Sequence, residues 1–301
     1  MVTVIQVSVI AILIAVGYFL AKKQIFTPVT GKELSWLLIN IVTPALILNS
    51  FQLEYTPEKL GSLLTTFFLG FLSYAVVIAF SFLYCGRGEE HKVERLSIIF
   101  SNAGFMGIPL IEGIFGTEGV FYAAIFGAIF NIVFWTYGIA AVRGQFSLKS
   151  LKTILLSPTI LAVAVGLVLF VEQIRLPEPI ASVTRHLSNL NTPLAMMIAG
   201  ISIAQSDLGA VFRKLRLYKI LAGKLFLAPM LVAAVFLLLP GSGFIKEIIV
   251  LQTACPVAAI IGISILQQGG DNRSATEYFT LTTLSSMVTL PLIKLFCGWL
   301  F

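Results

Sequence analysis

Ser101-Asn-Ala-Gly-Phe-Met-Gly-Ile-Pro109 lies inside an apolar run and packs Gly104, Gly107 and Pro109 into six residues. Glycine weakens a helix by about 1 kcal/mol and proline by about 3 kcal/mol. Proline also removes a backbone donor and clashes with the carbonyl one turn back. A helix through this run is expected to unwind just before Pro109. A second run repeats the device in Gln252-Thr-Ala-Cys-Pro256, followed by Gly262. In hydrocarbon the freed backbone groups need partners, so such breaks belong where protein or a polar cavity meets them. The half-helices that restart there present unbonded N–H groups and partial positive charge, which suits an anionic ligand. Asn102 adds an amide at the same depth, and Gln252 adds another in the second run.

The surroundings of these two runs are a membrane protein's. Of 301 residues, 58% are hydrophobic and 11% charged, with a mean hydropathy of +0.98. A soluble domain is about 45–50% apolar and about 25% charged. Disorder, a coiled coil and a cytosolic enzyme are excluded. A span takes roughly 20 apolar residues, and no strand-like alternation recurs to suggest a β-barrel. The expected fold is all-α, with ten transmembrane helices near 3–21, 33–52, 60–84, 93–111, 117–141, 151–172, 184–205, 217–239, 244–266 and 275–300. A signal peptide carries its positive charge before its apolar run. The first run has Lys22 and Lys23 after it and reads as a span.

Cytoplasmic loops carry the excess of Lys and Arg. One set of alternate loops holds fourteen of the 20 basic residues, from Lys22 and Lys23 through Arg87, Arg143 and Lys149 to Arg213 and Arg273. The other set holds Lys59, Arg175, Arg185 and Lys246. The first set is expected inside and both termini outside, in the inner (plasma) membrane. Lys224 and Lys294 stand near span ends and are expected to snorkel. The sequence pI of about 9.3 then belongs to an inner-leaflet surface rather than to a nucleic-acid site.

An internal repeat organises the ten spans. Asn40-Ile-Val-Thr-Pro44 in the second matches Asn189-Leu-Asn-Thr-Pro193 in the seventh, 149 residues on. Gly107-Ile-Pro109 in the fourth matches Ala254-Cys-Pro256 in the ninth, 147 residues on. Two five-helix halves, 1–145 and 146–301, are expected. Five is odd, so the second half enters from the opposite side, as in the inverted repeats of secondary transporters. Interrupted helices in equivalent positions of two halves point to a binding site.

Asn40, Asn49 and Asn131 are candidates to complete a pocket with Asn102, and they are equally suited to hydrogen-bonding between helices. Cys85, Cys255 and Cys297 show no metal or disulfide spacing, and His91 and His186 sit in loops without a nucleophile nearby. No Walker loop, HExxH or GxSxG occurs. No cofactor or metal is expected. The acidic residues fall in loops or near span ends, Glu112 coming closest to the breaks. Ion exchangers usually keep acidic residues at midplane. With none there, electrogenic uniport of an anion is expected, and a cation–proton exchanger working through Glu112 is the alternative. A homodimer is the expected assembly.

Asn102-Ala-Gly-Phe-Met-Gly-Ile-Pro109 resembles the Asn-x-x-x-Met-Gly-Ile-Pro crossover of the auxin efflux carrier family, and Gln252-Thr-Ala-Cys-Pro256 resembles its second crossover. Leu194-Ala-Met-Met-Ile-Ala-Gly200 and Leu290-Pro291 are similar to segments of its seventh and tenth spans. The resemblance covers the whole chain. It implies crossing fourth and ninth helices, a scaffold of spans one, two, six and seven, and a mobile domain holding the crossed spans. It implies an elevator- or rocking-type carrier of small organic anions, with Asn102 at the substrate carboxylate and Pro256 anchoring the second crossover. Val257 follows Pro256 where the plant members have a second proline nearby, and the link between halves is short, roughly 143–152. Control through a large cytoplasmic loop is therefore not implied, nor is the plant hormone as substrate.

Overall fold

Apolar runs with few charges coil into helices, because a helix satisfies its own backbone polar groups. Helix makes up most of the computed structural model, which describes residues 2–144, 149–267 and 269–301. Among the described residues, seven helical segments are long and apolar enough to cross a membrane. They are Ile5–Lys22 within α1 (Val2–Lys22), α2 (Pro28–Ser50), α3 (Pro57–Cys85), Ala103–Arg143, Glu178–Ala204, Leu215–Leu237 and Arg273–Leu300. Pro28 and Pro57 open their helices in the first turn, where a missing N–H costs nothing. Thr27 and Thr56 cap them by accepting from the backbone N–H of Thr30 and Lys59.

Three of the ten expected segments are divided. The fourth becomes α4 (Lys92–Ile99) and the start of α5 (Ala103–Arg143). The sixth becomes Lys149–Leu155 and α6 (Pro158–Val171). The ninth becomes α9 (Gly243–Ala254) and α10 (Ile260–Gln267), after α7 (Glu178–Ala204) and α8 (Leu215–Leu237) and before α11 (Arg273–Leu300). The boundary expected at 145/146 lies outside the described residues.

The 41 residues of α5 would stretch about 62 Å as one rod, twice the hydrocarbon thickness. They form two arms instead. Gly116 has φ 65° and ψ −158°, a conformation open to glycine. A Cβ on Gly119 would stand 2.8 Å from Cγ2 of Ile111. Residues eight apart on a straight helix lie about 12 Å apart, so the chain doubles back at Gly116.

Helix α1 crosses α7 with backbones nearly touching. A Cβ on Gly17 would strike the backbone of Met197, and one on Gly200 would strike Ile14 O. Small residues permit this approach where helices pack in lipid. The second half of α2 lies against α6 and the start of α7. Helices α3, α4, α5, α8, α9 and α11 pack together as a second group. Its core is aromatic: Phe100 meets Phe134 edge-on at 5.1 Å, and Tyr74 stacks on Phe126 at 5.4 Å.

Connections between helices gather at two ends. Glu277, at the start of α11, takes Lys214 at 2.5 Å and Arg273 at 3.2 Å, and Tyr278 donates to Glu94 of α4 at 3.4 Å. At the far end of α11, Phe301 lies beside Gly243 and under the ammonium of Lys246. The 28 residues between span about 42 Å. Lys294 does not snorkel as expected. It pairs with Glu247 at 2.6 Å, because both side chains are largely buried and each offsets the other's desolvation.

Candidate functional site

The two helix breaks meet. Asn102 N donates to Pro256 O at 2.7 Å, and Ala258 N donates to Phe100 O at 3.0 Å. These two bonds form the bridge between Ser101 and Val257 and satisfy backbone groups that the breaks release from their helices. The break in the fourth segment thus falls at 100–102, earlier than the unwinding expected just before Pro109. Pro109 stands in the first turn of Ile108–Val133, after a wide turn over Ala103–Gly107. That π-type turn bonds across five residues instead of four and absorbs the donor proline lacks. In the ninth segment the proline is itself at the break. Cys255 is extended at φ −58° and ψ 151°, as the residue before proline must be. The pair that crosses is therefore Ser101 and Val257 rather than Pro109 and Pro256.

A cavity of about 400 Å³ opens beside the crossing. The first turns of α5 and α10 enter its wall through Asn102, Gly104 and Phe105 on one side and Ala258, Ala259 and Ile260 on the other. Among the described residues, the backbone N–H groups of Gly104, Phe105, Ala259 and Ile260 make no hydrogen bond. Nor does the side-chain amide of Asn102. A side chain on Gly104 would meet nothing within 4 Å, so glycine leaves the N–H groups of this turn accessible. Two positive helix ends and a free amide converge on one volume, an arrangement that attracts negative charge. The opposite wall is mostly apolar, with Ile39, Phe130 and Trp135.

The other candidates divide. Asn131 lines the cavity, held by its bond to Gly127 O at 2.9 Å and accepting from Ser157 at 3.4 Å. Asn40 turns back to its own helix, donating to Trp36 O at 2.8 Å, and Asn49 also lies off the cavity wall. Helix α2 contributes Thr43 instead, which donates to Asn191 of α7 at 3.2 Å. Gly107, Pro109, Gln252 and Pro256 do not reach the cavity either. Gln252 is fully buried against Gly107, whose missing side chain makes the room it occupies. Pro256 O accepts from Asn102 N within the crossing and Gln252 packs on Gly107, and none of the four lines the pocket. Glu112 accepts from Thr192 of α7 at 3.3 Å and is also outside the cavity.

One residue at the crossing escapes sequence reasoning. Lys224, expected to snorkel, is wholly buried. Its Nζ donates to Ile98 O at 3.0 Å and to Ser101 Oγ at 2.6 Å, and Ser101 Oγ donates in turn to Thr253 O at 2.9 Å. Ile98 and Thr253 belong to the last turns of α4 and α9, so the ammonium sits where two helix C-termini concentrate negative charge. Gly223, packed against the Tyr84 ring, begins the wide turn Gly223–Leu227 that aims Lys224 inward. That glycine next to a lysine was the available signal, and it is a weak one.

A family profile described as membrane transport protein matches residues 1–294. An uncharacterized transporter of Methanothermobacter thermautotrophicus is 23% identical over 290 residues, covering 94% of each chain. An uncharacterized transporter of Methanocaldococcus jannaschii is 24% identical over 306 residues, covering 94% of this chain and 95% of its own. With the match running nearly end to end, the chain belongs to the membrane transport protein family, that of the auxin efflux carriers.

Proposed function

We propose that the protein carries small organic anions across the plasma membrane by alternating access. One observation carries this reading: the residues that line a single cavity at the crossing of two broken helices include four with unbonded backbone N–H groups, and Asn102 with its amide. The carboxylate would take these donors, and an apolar body would lie along Ile39, Phe130 and Trp135. A volume of about 400 Å³ is in the range of small-molecule sites, about 300–1,000 Å³. Glu112, bonded to Thr192 away from the cavity, gives a cation exchanger no acid in the site.

The divided segments read as ten crossings in two inverted halves, with α4–α5 and α9–α10 as the interrupted pair. The doubling back at Gly116, the crossing bridge and the two clustered ends support this. The group of α1, α2, α6 and α7 would serve as scaffold and the other helices as the moving body. The basic cluster around Glu277 would face the cytoplasm. The cavity includes Thr153, Leu156 and Ser157, beside the link between halves, so it would open on that same side.

Uptake of radiolabelled succinate, malate, citrate and phenylsuccinate into proteoliposomes tests the substrate class. Saturable transport of at least one, inhibited by the others, is expected. Transport of inorganic cations alone would sink the reading. Sidedness is tested by cysteine tagging in intact cells. Glu178→Cys should label from outside and Lys149→Cys only after permeabilisation, and the reverse pattern would invert the orientation.

A further inference from the structure

Lys224 is a buried ammonium held by dipoles alone. Its partners are one carbonyl and one hydroxyl, and among the described residues no carboxylate forms an ion pair with it. A lone buried charge costs several kcal/mol unless something offsets it. Two helix C-termini do part of this. An anion in the adjoining cavity would do more, because Ser101, which accepts from Lys224, also lines that cavity.

The surrounding charges are engaged elsewhere. On α4, Lys92 pairs with Glu89, Glu94 with His91, and Arg95 donates to Gly86 O and Gly88 O. On α11, Arg273 binds Glu277, Tyr278 binds Glu94 and Lys294 binds Glu247 of α9, while Cys297 is buried. On α9, Lys246 donates to Leu239 O. On its own helix, Arg216 turns to Glu277, Tyr218 to Phe212 O, and Lys219 lies over the Tyr84 ring of α3. The Tyr84 hydroxyl donates to Lys219 O. Cys255, in the second break, is buried, and its thiol donates to Leu251 O.

Building on the anion-carrier reading, we propose that Lys224 takes up a proton that travels with each anion, with Ser101 connecting the amine to the cavity. Proton and anion favour each other's binding through their charges, and this coupling is reciprocal. The amine accepts one proton to become an ammonium and the anion enters. Both cross with the moving body, and both leave on the far side. The empty carrier returns with a neutral amine, free of an uncompensated charge. Electrogenic uniport, expected because no acidic residue stands at midplane, would be replaced by symport of one proton per anion.

The test uses proteoliposomes with the membrane potential clamped at zero and a tenfold inward proton gradient. Wild type should accumulate whichever of succinate, malate, citrate or phenylsuccinate it transports by up to about tenfold, the limit that one coupled proton sets. Lys224→Arg keeps a fixed charge, so its anion should equilibrate without accumulating. A second readout needs no substrate: a pH jump on adsorbed, anion-free proteoliposomes should displace charge in wild type and not in Lys224→Arg or Lys224→Gln. Equilibration without accumulation in wild type would overturn the proposal. So would charge displacement of wild-type size in a folded Lys224 variant. Should none of the four anions move, the anion-carrier reading fails, and the pH jump still decides whether Lys224 binds the proton.

Discussion

Asn102→Ala is expected to raise the KM for the transported carboxylate by about 10- to 100-fold. A hydrogen bond to a charged group contributes about 1.5–3 kcal/mol, and each 1.4 kcal/mol is tenfold. Among the described residues the side chain makes no hydrogen bond, so its loss orphans no partner there, and thermal stability should change little. The structural duty of residue 102 falls to its backbone N–H on Pro256 O, which alanine keeps. Asn102→Asp should be worse than alanine, because it sets a negative charge beside the anion in a site of low dielectric. Transport kinetics with a thermal melt on the same preparations check this. An unchanged KM in Asn102→Ala would move the carboxylate to another part of the cavity.

Sequence reasoning located the crossing and misplaced what surrounds it, for physical reasons. Glycine and proline report where a helix is costly, so the two breaks were visible. They do not report which residue breaks. At Pro109 a wide turn absorbs the missing donor, and the opening moves back to 100–102, where the second break supplies hydrogen-bond partners. That partnership is tertiary and leaves no local mark. Asn40 and Asn102 look alike in sequence, yet one bonds its own helix and the other faces the cavity. A bond within its own helix accounts for Asn40, and no such bond occupies the Asn102 side chain. Lys224 and Lys294 also look alike, near span ends. The acceptors that bury them, Ile98 O and Ser101 Oγ for one and Glu247 for the other, come from distant helices. The apolar wall was invisible as well, since Phe130 and Trp135 read simply as span residues.

The two prolines, matched in sequence, should part company on substitution. Pro256→Ala is expected to reduce transport by about 100-fold or more, while Pro109→Ala stays at least about tenfold closer to wild type. Alanine at 256 restores an N–H that can reach Gln252 O and frees Cys255 to turn helical. Helix α9 would then run on through the break. The carbonyl of residue 256 would turn into that helix and away from Asn102 N, and the bond between Ala258 N and Phe100 O would go with it. Residues 258–260 would leave the cavity wall, taking two of the four free N–H groups. Two lost hydrogen bonds, at about 0.5–1.5 kcal/mol each, are offset by the backbone bonds that the healed helix gains. Stability should therefore fall little or rise, while transport collapses. Pro109 makes no such link. It occupies a first helical turn, where its ring is tolerated, and a donor restored there leaves the bridge at Ser101 and Val257 in place. Transport assays and thermal melts on both variants decide it. Equal losses of transport in the two would mean that position 109 shapes the cavity as much as the crossing does. A melting temperature for Pro256→Ala that falls in step with its activity would assign Pro256 to packing alone.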